Sequence, residues 1–83
     1  MYKVLTEVYV PSVGETFEIY LPAESRVSEV LPLIQQAVAE LTAGAFRPNG
    51  EVVLCERESG MVYNINMTVE EIGLKNGSRL MIV

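Results

Sequence analysis

The residue types in this chain that could do chemistry are a lone cysteine, two pairs of glutamates and a set of glycine-containing turns. Cys55 stands between Leu54 and Glu56. A thiol acts as a nucleophile only as its thiolate. No histidine exists to take its proton, and the nearest base in sequence, Arg57, is flanked by Glu56 and Glu58. Such surroundings stabilise a thiolate poorly, so Cys55 reads as a small residue packed on a strand. Glu56 with Glu58, and Glu70 with Glu71, would suit acid–base work or a hard cation if their carboxylates converged in a cleft. Glu71, however, follows Thr68 by three residues, the spacing of a capping box. Glu70 is a favourable charge near a helix start. Glu56 and Glu58 border a turn and read as solvated. Asn49-Gly50, Ser59-Gly60 and Asn76-Gly77 lack the Gly-x-Gly-x-x-Gly and Gly-Lys-Ser/Thr patterns of phosphate loops and serve as turns. The sequence therefore predicts no catalytic residue, no metal and no cofactor.

Composition narrows the partners. Eighty-three residues make a single domain over 1–83, with 49% apolar residues, too many for disorder. At the usual per-residue range the stability is roughly 4–12 kcal/mol. Net charge is −5, and the bases Lys3, Arg26, Arg47, Arg57, Lys75 and Arg79 are scattered. No basic stripe exists to neutralise phosphates, so no nucleic-acid partner is expected. One cysteine excludes an intramolecular disulfide and a multi-cysteine metal site. The absence of histidine removes Ser-His and Cys-His catalysis. No segment approaches the ~18 apolar residues of a membrane span, so no direct membrane insertion is expected. Met1 to Glu7 lacks the basic-then-apolar layout of a signal peptide, and a cytoplasmic location follows as the expectation.

The elements follow from periodicity. Residues 2–10 alternate with Val4, Val8 and Val10 on one face, and Thr16 to Leu21 alternates with Phe17, Ile19 and Leu21. The turn cluster Pro11-Ser12-Val13-Gly14 joins them into an antiparallel hairpin. Val27, Val30, Leu31, Ile34, Val38 and Leu41 then recur at helical spacing. Ser25 or Ser28 is placed to cap this helix and Gly44 to end it. Pro32 conflicts with a start at Val27, so regular helix is expected from Leu33 to Thr42 after a distorted turn. Glu51 to Arg57 reads as a third strand, Met61 to Tyr63 as a short one, Thr68 to Leu74 as a capped helical turn, and Arg79 to Val83 as the last strand. A hairpin, a crossover helix and further strands predict an α+β fold, a β-grasp with one main helix packed on one face of a mixed sheet. The expected core is Val4, Phe17, Ile19, Leu21, Val30, Ile34, Val38, Leu74, Leu80 and Ile82.

Two stretches carry a family resemblance. Thr68-Val69-Glu70-Glu71-Ile72-Gly73-Leu74 resembles the turn before the last strand of ubiquitin-like folds, with Val69 and Leu74 as core anchors. Leu21-Pro22-Ala23-Glu24-Ser25-Arg26-Val27-Ser28-Glu29-Val30-Leu31 is similar to the strand-to-helix passage of YukD-like proteins. Those are small stand-alone ubiquitin-like proteins of Gram-positive bacteria associated with type VII (WXG100) secretion. The resemblance covers nearly the whole length and implies first and last strands side by side in parallel at the sheet centre. The chain ends at Val83 with no Gly-Gly tail, so the expectation is the fold without conjugation chemistry.

That leaves a binding module. If Leu80 and Ile82 point at the helix, then Arg79, Met81 and Val83 face outward, with Val53 or Cys55 on the third strand extending the patch. A Met and a Val on the open face of a sheet suggest docking. In ubiquitin the same open face is a docking surface. The site expected here is therefore Arg79, Met81, Val83 and Val53, taking a protein partner that the resemblance places in the type VII secretion machinery. The alternatives are a sulfur carrier or modifier activated by an adenylating enzyme, and a structural homo-oligomer built through sheet edges.

Overall fold

The computed structural model describes residues 2–83. It contains β1 (Lys3–Val10), β2 (Glu15–Pro22), α1 (Val27–Leu41), β3 (Leu54–Glu56) and β4 (Ser78–Ile82). The four strands form one sheet in the order β2-β1-β4-β3. β1 pairs antiparallel with β2 and parallel with β4, and β3 pairs antiparallel with β4. The first and last strands are therefore the central pair. This is the mixed sheet of a β-grasp.

Alternation decides which face meets the helix. On β1 the even positions Val4, Thr6, Val8 and Val10 are buried and the odd positions from Leu5 to Tyr9 are not. Val27, Val30, Ile34 and Val38 form the buried stripe of α1 and complete the core with Leu21, Leu54, Val69, Leu74, Leu80 and Ile82. Thr6 sits in this core because its Oγ1 donates to the Ile19 carbonyl at 2.9 Å, so burial leaves no polar atom unpaired. Phe17 and Ile19 are only half-buried, against expectation. They lie on the edge strand, where the helix covers the sheet incompletely. Leu41, the last residue of α1, is exposed as well. The core instead takes in Phe46, Leu54 and Val69.

The helix begins at Val27 and runs through Pro32, earlier than the sequence predicts. The reason lies in the loop before β4. Val27 N–H donates to the Met67 carbonyl at 2.9 Å and Ser28 N–H to the Ile65 carbonyl at 3.0 Å. These bonds satisfy first-turn donors that an isolated helix leaves open. Arg26, not a serine, is the residue before the first turn, and its N–H donates to Glu29 Oε1 at 2.8 Å. Pro32 is exposed, so its ring meets solvent, and the only helical bond it removes is the one to the Ser28 carbonyl. At the other end Thr42 Oγ1 donates to the Val38 carbonyl at 2.8 Å and accepts from Phe46 N–H at 3.1 Å. Gly44 takes the left-handed φ of 87° that the sequence assigns it, and Ala43 before it is left-handed too, at 53°.

The third strand is shorter than expected, at three residues. Asn49 is the cause. Its Oδ1 accepts from Glu51 N–H at 2.9 Å and its own N–H donates to Gln35 Oε1 at 2.8 Å, which holds residues 49–51 as a turn against the helix. Met61 to Tyr63 is reduced to one bridge, Cys55 with Val62. The capping box of Thr68 and Glu71 is present, with both bonds at 2.8 and 3.0 Å, yet it closes a turn and not a helix. Gly73, at φ 83°, ends that turn after one step. Asn76 does more than turn the chain. Its Oδ1 accepts from Leu5 N–H at 2.9 Å, and Gly77 N–H donates to the Leu5 carbonyl at 2.8 Å. The Asn76-Gly77 turn thus ties the start of β4 to β1.

Candidate functional site

The outer face of the sheet, away from α1, is built by the strand registers. Val62 lies opposite Cys55, Cys55 opposite Met81, Met81 beside Tyr9, and Tyr9 opposite Thr16. Partners in register share a face, so these five side chains form one row across the sheet. On one flank Val53 and Val83 extend the row. Val53 N–H donates to the Val83 carbonyl at 2.9 Å, and Val83 N–H returns the bond at 3.1 Å. On the other flank Glu18, Glu7 and Arg79 lie side by side.

The four residues singled out in the sequence thus share one face. Leu80 and Ile82 are 0% and 2% exposed and point at the helix, while Arg79 is exposed. Val83 is 54% and Val53 36% exposed. Met81 is half-buried between Tyr9 and Cys55, not open as the alternation alone suggests. Cys55 also stands in this row but is 2% exposed.

Three members of the face escape a reading of the sequence: Tyr9, Arg57 and Val62. The Arg57 guanidinium lies over the Tyr9 ring, 4.4 Å from its centroid, a cation–π contact across β4. Its Nη1 also reaches Thr16 Oγ1 at 3.5 Å. Tyr9 and Arg57 are far apart in sequence, and only the order β1-β4-β3 brings them together. The available signal was Tyr9 on the outward parity of β1. Val62 was equally hidden, because its segment pairs through one bridge.

The remaining candidates do not assemble. Glu56 is half-buried at the end of β3, whereas Glu58 lies beyond it and pairs with Arg79 at 3.5 Å. Glu71 is occupied by its cap, and exposed Glu70 uses its N–H on the Ala23 carbonyl at 2.9 Å. Among the described residues no three His, Cys, Asp or Glu side chains gather to hold a metal ion. No described helix is long and apolar enough to cross a membrane.

Burial pushes the Cys55 thiol pKa up. Its Sγ lies 3.5 Å from the Met81 carbonyl oxygen, a contact only the protonated thiol can donate to. The folded state therefore holds this proton more tightly than the unfolded chain does. The stability linked to it is complete below the ordinary thiol pKa, about 8.5, and is lost as pH rises through the raised folded value. Tyr63 is raised as well, by burial first, then by Glu56 and Cys55, and its window lies higher, near the ordinary phenol value of about 10. Urea midpoints are expected to fall from pH 8 upward. Cys55→Ala should flatten the lower part of that fall, and an unchanged slope in the variant would contradict this assignment.

The fold is that of ubiquitin-like domains, and the solved structures similar to it show this directly. The ubiquitin-like domain of the Mycobacterium tuberculosis type VII secretion system protein EccD1 superposes with a TM-score of 0.78 at 15% identity, covering 100% of this chain and 99% of that one. A chain of the ESX-3 core complex matches at a TM-score of 0.75 and 22% identity, covering 99% of this chain and 16% of the larger one. A chain of the toluene 4-monooxygenase HD complex matches at 0.77 and 13% identity, over 99% and 98%. Likeness at these identities defines the fold. No protein-family model matches the chain. No curated protein matches it either.

Proposed function

We propose that this chain is a non-catalytic docking module, a YukD-like accessory component of a type VII secretion machinery that works in the cytoplasm. The observation that carries the docking reading is the grouping of Met81, Val83 and Val53 with Tyr9 and Val62 on one sheet face, flanked by Arg79. Helix α1 covers the opposite face, so this apolar row is the part of the sheet free for a partner. The secretion role draws on the EccD1 ubiquitin-like domain and the ESX-3 chain, which share the fold over nearly all of this chain. In the ESX-3 chain a domain of this size is a small part of a larger component. A free-standing copy of the fold would act by docking onto such a component.

The carrier alternative needs an extended, accessible C-terminal glycine. Ser78–Ile82 is instead a paired strand, and Val83 is bonded to Val53 in both directions. The test of the proposed function is capture from native lysate with the wild-type chain and with Met81→Asp. The wild type is expected to recover a type VII secretion component, identified by mass spectrometry, and the variant to lose it. Recovery of the same component in the same amount by both would place docking elsewhere, the next candidate being the outward side of the hairpin around Glu18 and Tyr20.

A further inference from the structure

We propose that Arg57, laid on the Tyr9 ring, is a carboxylate receptor, so that the partner presents one acidic side chain held between apolar ones. The proposal rests on the reading of the outer sheet face as the docking surface and names the chemistry of what docks there. The guanidinium centre is 4.4 Å from the Tyr9 centroid, and its one polar contact among the described residues is the 3.5 Å approach to Thr16 Oγ1. Arg57 lies between two glutamates in sequence, yet neither neutralises it. Glu58 is drawn to Arg79, the only ion pair among the described residues, and Glu56 stands on the opposite parity of β3.

An arginine stacked on an aromatic ring has already given up much of its side-chain freedom. Its planar fork still offers paired N–H donors that match a carboxylate. The apolar row beside it, with Met81 in register with Tyr9, would exclude water from the contact. Exclusion of water strengthens a charged hydrogen bond and makes such an Arg–Tyr pair a typical anchor of binding energy. The rest of the molecule limits how acidic the partner is. Net charge is −5, and Glu7 and Glu18 stand opposite one another in the next row, where Arg79, in register with Glu7, is engaged by Glu58 at 3.5 Å. A broadly acidic surface would be repelled there, whereas a single carboxylate flanked by apolar groups fits.

The experiment uses the full chain labelled for NMR, titrated at low salt with two capped peptides, acetyl-Leu-Glu-Phe-amide and acetyl-Leu-Gln-Phe-amide. The Glu peptide is expected to shift the Arg57 Nε–H, the Tyr9 ring and the Met81 methyl signals, and to bind about tenfold tighter than the Gln peptide. Arg57→Gln should abolish that difference while both peptides still shift Met81 and Val83. Equal affinity for the two peptides, or a Glu preference that survives Arg57→Gln, overturns the proposal and leaves the docking face standing. Absence of any shift at Tyr9, Met81 and Val83 with either peptide overturns both.

Discussion

Replacing Leu80 by alanine is expected to remove about 3–5 kcal/mol of folding stability, much of the total for a chain this short. Leu80 is 0% exposed and sits on the central strand β4, between Val8 of β1 and Glu56 of β3. Its side chain faces the α1 stripe, so truncation leaves a cavity between the close-packed sheet and the helix. The same change at Phe17 removes a larger side chain but costs less, about 1–2 kcal/mol, because Phe17 is half-buried on the edge strand and part of its surface stays in water. Urea denaturation of the two variants measures the difference. A larger loss for Phe17→Ala than for Leu80→Ala would show that the core is not centred where the sheet order places it.

Met81→Asp is expected to weaken partner binding by about tenfold. Met81 is half-buried in the free chain, so burying its exposed part against a partner contributes roughly 1–1.5 kcal/mol, and each 1.4 kcal/mol is tenfold in affinity. The substitution removes that burial and sets a carboxylate in register with Tyr9 and Cys55. It would also offer Arg57, above Tyr9, an internal partner in competition with an incoming acid. Because Met81 is half-buried, the variant also loses stability, on the order of 1 kcal/mol. Val83→Asp provides the companion variant, since Val83 is more than half exposed and its change leaves the fold less disturbed. Binding measured on both variants at a temperature where both are folded separates docking from stability. Unchanged affinity in both would contradict the role of this face.

Much of the fold was legible because two periods carry it. Alternation in β1, β2 and β4 and the helical spacing of Val27, Val30, Ile34 and Val38 define the opposed apolar faces. The departures come where tertiary contacts replace local signals. The helix starts at Val27 because the carbonyls of Ile65 and Met67, some forty residues later, take its first N–H groups. β3 shrinks because Asn49 is held by Gln35 of the helix. Phe17 and Ile19 show the right parity, but parity does not reveal that β2 is an edge strand. The site followed the same rule. Arg79, Met81 and Val83 could be placed from alternation within one strand, and Val53 by extension. Tyr9 and Arg57 depended on strand order, and the half-burial of Met81 on its two neighbours in register.

The central claim is that the outer sheet face takes the partner, and the most direct measurement is NMR shift mapping of the labelled chain on addition of the captured partner. The account predicts perturbation centred on Tyr9, Val53, Met81 and Val83, with α1 unaffected at Leu33 and Leu41, which are exposed on the other side. Perturbation centred on Leu33 and Leu41, with Met81 and Val83 unmoved, would contradict it.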